Sequence, residues 1–411
     1  MLFANPRARR CRYDEALKEI LNIEQGRESG RWLSHWDQIR PGATPLWRLP
    51  HLARRLSLGE ISIKDESMRS PLGSFKALGA PVALLRLILR RWPAEGLLPA
   101  ALLAGRHAAA LKDFVVISAT DGNHGRALAA AARSVGCRCV IVLHAHVSAE
   151  REAPIAALGA QIVRIAGNYD ESVQESARLA RVNDWQVVSD TSYDGYEDIP
   201  RDVMQGYGAI ADELLEAAPD EDACPFTHVF LQGGVGGLAA GIVSHFWERW
   251  GARRPAFVVV EPEQAACLFQ SARSGHADRA SGSVDSVMAG LACGEASPLA
   301  WRFLQPAVDF FLTVSDAQAV QAMRTLACGD AGDVPVLSGE SGAAGLAGLV
   351  AVTAEAAHAR LLGLDAQSHV LLLNTEGATA PGAYTALTGR ADTAVLEAQA
   401  SFLSSSSKEL A

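Results

Sequence analysis

The sequence lacks several features that would place it in other classes of protein. It has 37 lysine and arginine residues against 46 aspartate and glutamate residues, so its formal net charge is -9. No basic stripe offsets this negative charge, which argues against a surface for nucleic acid. No apolar run reaches the roughly 18 residues that a membrane-spanning helix needs. We therefore expect neither nucleic acid nor membrane as a partner.

Cysteine is scarce and irregularly spaced, which bears on metal binding and on location. The seven cysteines include one C-x-C pair, Cys137 and Cys139, without the second pair that a zinc site requires. We expect reduced and packed thiols, no metal site and a cytoplasmic location. The basic run RARRCR near the start precedes no apolar segment, so it does not indicate a signal peptide.

Two kinds of segment alternate along the chain. Short apolar runs rich in β-branched residues indicate buried strands of a parallel sheet that is covered on both faces. These runs are FVVIS (114–118), CVIVL (139–143), QIVRI (161–165), HVFLQ (228–232), AFVVV (256–260) and HVLLLN (369–374). Alanine-rich amphipathic stretches predict helices over 125–136, 169–182 and 237–250. The alternation predicts an α/β fold, whereas the serine-rich tail after residue 403 is expected to be disordered.

A glycine-rich loop joins the predicted strand 228–232 to the next helix. Its backbone N–H groups can face one concavity and hold a phosphate group. The loop residues are Gly233, Gly234, Val235, Gly236 and Gly237. The loop matches neither the Walker pattern nor the spaced G-x-G-x-x-G pattern, so a plain tight turn is the alternative interpretation.

A second loop, SATDGNHGRA (118–127), opens the first alanine-rich helix. Its polar residues are common at helix N-termini, so one interpretation is a simple cap. Asn123 and His124 exceed what capping requires, and amide groups at a helix start also suit a substrate carboxylate. The substrate-binding candidates in this loop are Thr120, Asp121, Gly122, Asn123 and His124.

Three further stretches carry candidate residues. LSGESGAAGLAG (337–348) places Glu340 before a helix. The strand 369–374 delivers Thr375, whose hydroxyl is either a turn former or a partner for a ring nitrogen. SPLGSFKALGA (70–80) places Lys76 near a helix start, where a lone lysine is most often a solvated charge.

Taken together, these residues meet the needs of pyridoxal 5′-phosphate. Lys76 provides an amine that forms a Schiff base, and the glycine loop holds the phosphate. Asn123 would contact the phenolic oxygen, and Thr375 would meet the pyridine nitrogen. The combination is far more specific than any single loop.

The order of these motifs resembles that of the fold-type II pyridoxal-phosphate enzymes, the tryptophan-synthase-β-like family. Within it the chain is most similar to the diaminopropionate ammonia-lyases, and the match runs over roughly residues 44–385. The stretches that carry the resemblance include TPLWRLPHLARRLSLGEISIKDES (44–67), GSFKALGA (73–80), ATDGNHGRALA (119–129), SDTSYDGYEDIPRDVMQGYGAIADEL (189–214), EPEQAACLFQSA (261–272) and SGESGAAGL (338–346). The chain departs from this subfamily at Pro71 and Ser74.

The resemblance implies a fold of two domains, each an open and mostly parallel sheet flanked by helices, with the cofactor in the cleft between them. Residues 1–84 and 193–411 would form the large domain, and residues 85–192 the small one. A homodimer is also expected, from the family and from the base rate for soluble enzymes.

The resemblance also implies an activity, the elimination of 2,3-diaminopropionate to pyruvate and two ammonia. Lys76 would be the base for the L-isomer and Asp121 the base for the D-isomer. Asp190 would be a supporting carboxylate, although a turn residue is its alternative interpretation. The rival functions are a serine/threonine dehydratase or another β-elimination or β-replacement enzyme of this fold, and a pyridoxal-phosphate-binding protein without turnover.

Overall fold

The computed structural model describes residues 1–120, 122–145, 147–167, 169–218 and 223–409. Its strands are β1 (Leu2–Ala4), β2 (Leu46–Arg48), β3 (Glu60–Asp65), β4 (Val115–Ala119), β5 (Arg138–Leu143), β6 (Gln161–Arg164), β7 (Gln186–Val187), β8 (His228–Gln232), β9 (Ala256–Pro262), β10 (Phe310–Val314) and β11 (His369–Asn374).

The α-helices are numbered in the same way. They are α1 (Glu15–Lys18), α2 (Ile23–Leu33), α3 (Pro50–Arg55), α4 (Gly79–Arg91), α5 (Pro99–Leu103), α6 (Ala108–Leu111), α7 (Asn123–Val135), α8 (Ala149–Ala157), α9 (Tyr169–Asn183), α10 (Asp198–Glu216), α11 (Gly237–Trp250), α12 (Cys267–Ser274), α13 (Pro298–Ala307), α14 (Asp316–Cys328), α15 (Ala344–Thr353), α16 (Ala356–Leu362), α17 (Pro381–Thr388) and α18 (Asp392–Glu409). Single 3₁₀ turns also occur, and the one over Phe75–Leu78 carries Lys76.

The larger of the two sheets has seven strands in the order β1-β10-β9-β8-β11-β3-β2. Its inner pairs are parallel, and only the outer strands β1 and β2 run antiparallel to their neighbours. Strand β11 pairs with β3 along its whole length, from His369 opposite Glu60 to Asn374 opposite Asp65. The predicted strands HVFLQ and HVLLLN are confirmed at their stated ends, and AFVVV continues to Pro262.

The smaller sheet has four strands, all parallel, in the order β6-β5-β4-β7. It contains the predicted runs FVVIS, CVIVL and QIVRI, with ends that differ by one residue. Helices α7 and α9, predicted from their alanine-rich and amphipathic pattern, pack against its strands. The prediction of an α/β fold with open, mostly parallel sheets is confirmed.

The strands are apolar without alternation because both faces of the sheet are covered. Along β8, Val229 and Leu231 join one hydrophobic cluster, while Phe230 between them joins another on the opposite face. Successive side chains of a strand point to opposite faces, so burial of both faces requires an uninterrupted apolar run. The parallel strands therefore end together at one edge, where their loops are available for a ligand.

The C-terminal tail differs from expectation, because α18 continues through the serine run to Glu409. Val395 is fully buried, and Gln399 Nε2 donates to Pro335 O at 2.8 Å. These contacts anchor the first half of the helix, and further turns add at little cost once a helix has begun. Within the described residues no single helix is long and apolar enough to cross a membrane; α15 and α16 together meet the length and composition but are bent by 111° at their junction.

Candidate active site

The turn that carries Lys76 is fixed to the end of β11. Phe75 N donates to Thr375 O at 3.0 Å, and Gly377 N donates to Gly73 O at 3.0 Å. Ser74 lies opposite Glu376 in an isolated β-bridge. Backbone pairing thus brings together two predicted site residues, Lys76 and Thr375, from opposite ends of the sequence. Ser74, where the chain departs from the subfamily, is part of this pairing.

Lys76 and Asp190 form an ion pair inside the cleft. The Lys76 Nζ lies 2.5 Å from Asp190 Oδ2. Burial alone would lower the pKa of Lys76, but the negative charge of Asp190 outweighs it and raises that pKa. Burial likewise opposes ionisation of Asp190, but the adjacent positive charge of Lys76 holds the pKa of its carboxyl well below the usual range. The pair is therefore charged at neutral pH, with the proton on the amine.

His124 approaches the same carboxylate from α7. Its Nδ1 lies 3.8 Å from Asp190 Oδ2, and its Nε2 is 2.9 Å from Val188 O. Burial lowers the pKa of His124, so the ring is neutral and Nε2–H donates to the carbonyl. The buried Nδ1 has no hydrogen-bond partner within the described part of the chain, so it is an acceptor aimed into the cleft.

The loop before α7 is held by Thr120. Its Oγ1 accepts from Gly122 N at 3.1 Å and from Gly125 N at 3.3 Å, and Gly122 has a φ of +155°. These bonds give the start of α7 a fixed shape that faces the cleft. Asp121, the sequence-predicted second base, lies outside the described residues.

The glycine loop between β8 and α11 leaves backbone donors available. A Cβ at Gly233 would lie 2.4 Å from Glu261 Cγ, and Gly234 has a φ of +63°. In the described residues the N–H groups of Gly234 and Val235 donate to no acceptor. Gly237 begins α11, where the N–H groups and the helix dipole favour an anion. Gly236 lines no part of the cleft: its Cβ would meet Leu304 at 2.9 Å, so this glycine serves packing.

These groups surround one cleft between the two sheets. The predicted site residues that line it are Lys76, Thr120, Gly122, Asn123, His124, Asp190, Gly233, Gly234, Val235, Gly237 and Thr375. The chemistry of this lining fits pyridoxal 5′-phosphate: an amine for the aldehyde, an N–H cradle for the phosphate and unpaired buried acceptors for the ring and substrate. Lys76, the glycine loop, Asn123 and Thr375 would hold the cofactor.

Two predicted residues have partners that the sequence did not indicate. Asn123 Nδ2 donates to Glu376 Oε2 at 2.5 Å, a bond that crosses from the small sheet to the large one. Glu340 does not line the cleft, and its Oε1 lies 3.7 Å from Arg151 Nη2. Burial and the adjacent negative charge of Glu376 raise the pKa of Glu340 to about 7.

Several cleft residues were missed by the sequence prediction. Tyr207 on α10 packs on Phe75, with ring centroids 4.7 Å apart, and its ring centre lies 5.9 Å from Lys76 Nζ. Gln232 Oε1 is buried without a donor among the described residues. Gln232 ends the strand before the glycine loop, a position that was visible in the sequence. Tyr207 lies within a helix and carried no such signal.

Among the described residues, no three histidine, cysteine, aspartate or glutamate side chains are grouped so that they could hold a metal ion. All seven cysteines are free thiols.

Comparison with known proteins agrees with this lining. The family described as pyridoxal-phosphate dependent enzymes matches residues 38–376. The diaminopropionate ammonia-lyase of Salmonella typhimurium is 39% identical over 349 residues, which cover 83% of this chain and 86% of that protein. A biosynthetic L-threonine dehydratase of Pasteurella multocida is 27% identical over 56% of this chain and 38% of that protein.

Solved structures give the same result. Three crystal structures of Escherichia coli diaminopropionate ammonia-lyase share 31% identity with this chain and cover 94% of it and 96% of that protein. The holoenzyme has a TM-score of 0.85, and the complexes with the aminoacrylate-PLP azomethine reaction intermediate and with D-serine each have 0.83.

The fold and the site together define a fold-type II pyridoxal-phosphate-dependent enzyme, and pyridoxal 5′-phosphate is its cofactor. Within that class the chain belongs to the diaminopropionate ammonia-lyase family. The sequence-based predictions of fold, cofactor and family are confirmed.

Proposed function

We propose that this enzyme converts 2,3-diaminopropionate to pyruvate and two ammonia. The observation that carries the proposal is the Lys76–Asp190 pair, at 2.5 Å, in a cleft beside an N–H cradle for phosphate. The relatives with the same fold and 31–39% identity are named for this reaction. The cleft contains carboxylates, which suit a substrate that carries two amino groups. This also agrees with a carbon–nitrogen lyase activity.

The protein residues bind the substrate and move its proton. Bound pyridoxal phosphate supplies the electron sink that makes the substrate Cα–H acidic. Bonding to the cofactor would take the Lys76 amine out of its charged pair with Asp190, and the neutral amine that the substrate then releases would accept the Cα proton of the L-isomer. The bond from Cβ to the second nitrogen breaks as ammonia leaves. Asp190 stabilises the positive charge of Lys76 and faces the substrate amines. The resulting product hydrolyses to pyruvate and the second ammonia.

The start of α7 provides the site for the substrate carboxylate. Asn123 and His124 line the cleft in the first turn of α7, where backbone N–H groups lie at the positive end of the helix dipole. Arg151 also lines this part of the cleft and is held only loosely by Glu340, so it adds a positive charge. Glu340 would act on the substrate through Arg151.

Replacement of the lysine tests the assignment directly. We expect the purified wild-type enzyme to absorb visible light through its bound cofactor and to release two ammonia per pyruvate from diaminopropionate. Lys76→Ala should lack the visible band, and its turnover should fall by at least about 10³-fold, since the amine that bonds to the cofactor and accepts the proton is absent. A yellow and active alanine variant would refute the assignment.

We propose Asp121 as the second base, the one that removes the Cα proton of the D-isomer. Asp121→Asn should lower kcat for the D-isomer by about 10²-fold or more, because general bases contribute on that order. The kcat for the L-isomer should fall much less. Separate assays of pyruvate release from the two isomers measure the difference. Equal losses on both isomers would contradict the two-base proposal.

A serine/threonine dehydratase is the rival activity, and its relatives match the chain at lower identity and over less of its length. A dehydratase releases one ammonia per keto acid, so the product ratio separates the two. The other rival, a cofactor-binding protein without turnover, predicts a visible band with no pyruvate from either isomer.

We also propose that the enzyme works as a cytoplasmic homodimer. Free thiols at all seven cysteines suit a reducing compartment. Two-fold symmetric dimers are the commonest assemblies of soluble enzymes.

A further inference from the structure

A buried carboxyl–thiol pair lies beneath the glycine loop and has no part in the reaction described above. Glu261, on β9, is fully buried, and Cys267 begins α12 immediately behind the loop. Both belong to the stretch EPEQAACLFQSA that carried part of the family resemblance. Within the described residues no cation pairs with Glu261, so its burial needs another explanation.

The contacts of this pair reach the loop itself. Cys267 Sγ lies 3.3 Å from Gly234 O and 3.7 Å from Glu261 Oε1. The carboxyl group of Glu261 also accepts from Leu268 N at 2.9 Å and from Phe269 N at 2.7 Å. The carboxyl therefore joins the first turn of α12 to the thiol, and the thiol joins both to the loop.

The direction of the Gly234 carbonyl determines where the next amide points. In a trans peptide the C=O group and the following N–H group point in opposite directions. Because the thiol draws Gly234 O toward α12, the N–H of Val235 is turned to the opposite side. Val235 lines the cleft, and its N–H has no acceptor in the described part of the chain.

We propose that Cys267 and Glu261 are positioning residues that aim the Val235 N–H at the phosphate group of the cofactor. In the arrangement that satisfies all partners, the neutral Glu261 carboxyl donates its O–H to Cys267 Sγ. The thiol then donates its only proton to Gly234 O. The carboxyl oxygens still have lone pairs for the amides of Leu268 and Phe269.

Ionisation of Glu261 would undo this arrangement. A carboxylate is a stronger acceptor than a peptide carbonyl, so it would draw the thiol proton away from Gly234 O. It would also place a negative charge behind a phosphate site. Burial raises the pKa of Glu261 to about 8. The titratable group in contact with Glu261 is the thiol of Cys267, and the thiol of Cys293 lies close to that of Cys267. Cofactor affinity should therefore fall as pH rises through about 8.

Titration of the apoenzyme with cofactor tests the thiol, with the dissociation constant read from absorbance. Cys267→Ala should weaken pyridoxal 5′-phosphate binding by about five- to tenfold, as expected for one hydrogen bond. Binding of pyridoxal, which lacks the phosphate but keeps the aldehyde, should not change. Cys267→Ser restores a donor and should return the affinity for the phosphate form to within about twofold of wild type. Cys139→Ala, which removes a buried thiol from the small sheet, is the matched control.

The carboxyl is tested by the pH dependence of the same titration. Between pH 7 and pH 9 the wild type should lose affinity for the phosphate form relative to pyridoxal, whereas Glu261→Gln should keep a constant ratio. An alanine variant at Cys267 that weakens both ligands equally, or a glutamine variant with the wild-type pH profile, would overturn the proposal. These readouts concern cofactor binding alone, so they do not depend on the substrate proposed above.

Discussion

The charged residues of the cleft show how position changes the chemistry of a side chain. Lys76 and Asp190 stay ionised because each stabilises the other at 2.5 Å, although burial opposes both charges. The Glu340 side chain is more deeply buried, has a second carboxylate beside it, and lies 3.7 Å from its cation, Arg151. Its proton is therefore retained to a much higher pH. A carboxyl group in or near the cleft is thus a fixed negative charge at Asp190 and a titrating group at Glu340.

The raised pKa of Glu340 predicts a pH-dependent stability. The carboxyl is neutral in the folded chain up to about 7, but in the unfolded chain it ionises near 4.5. The unfolded state thus loses its proton first, and stability falls as pH rises between these values, by roughly 3 kcal/mol in total. Urea unfolding at pH 5 and pH 8 should show this loss in the wild type. Glu340→Gln should lose less over the same interval, and an identical loss would contradict the assignment.

At the scale of single residues, sequence alone identifies the groups that follow strand ends. Lys76, Asp190 and most of the glycine loop, all predicted as site residues, line the cleft, because chemistry-bearing residues cluster after strands in this class of fold. The partners could not be predicted. The bond from Asn123 to Glu376 joins two sheets, and the bond from Cys267 to Gly234 joins a helix to a loop. Neither contact leaves a pattern along the chain.

At the scale of elements, apolar runs predict β8, β9 and β11 of the large sheet but neither β3 nor β10. Strand β3, EISIKD, lies between β11 and the edge strand β2, and it carries two charged residues that are buried. Lys64 is 2% exposed and lies 2.5 Å from Glu213 Oε2 on α10. Asp65 Oδ1 accepts from Asn374 Nδ2 on β11. Because buried ion pairs and hydrogen bonds satisfy these charges, the strand shows no continuous apolar run, and hydrophobicity alone does not predict it.

Helix α10 packs closely against the turn that carries Lys76. A Cβ at Gly206 would lie 2.2 Å from Leu78 O, which is backbone and cannot move away alone. We expect Gly206→Ala to destabilise the fold by about 2–3 kcal/mol and to reduce turnover, because helix and turn are forced apart.

Gly30 on α2 offers the matched control for that substitution. The nearest atom to a Cβ there is 3.8 Å away, which is ordinary contact. Gly30→Ala should raise stability by up to about 1 kcal/mol, since alanine favours a helix interior. Equal thermal melting temperatures for the two variants would show that the contact with Leu78 does not constrain α10.

At the scale of the whole molecule, two sheets face one cleft and a few polar contacts join them across it. Besides the bond from Asn123 to Glu376, Gly382 N donates to Glu150 Oε1 at 2.6 Å. These contacts join α7 and α8 of the small sheet to the segment after β11. The division into domains at residues 84/85 and 192/193 stays a prediction, and α4 spans the first of these boundaries.

The proposed homodimer belongs to this scale. Sedimentation velocity of the purified protein at micromolar concentration should give one species of twice the chain mass. A single species of the chain mass over the same range would contradict the dimer. The measurement is made with and without added cofactor, since binding that favours one assembly shifts its apparent stability.

The pairing of β11 between β8 and β3 has a consequence for how the protein is made. The small sheet uses residues 115–187 only, so it can close while the ribosome is still adding the second half of the chain. The large sheet stays divided until residues 369–374 emerge, because β3 and β8 do not pair with each other. The turn with Lys76 has no support from Thr375 before that moment. We therefore expect the cofactor to bind stably only after β11 has joined the large sheet, since a chain that lacks β11 lacks both Thr375 and the strand that links β3 to β8.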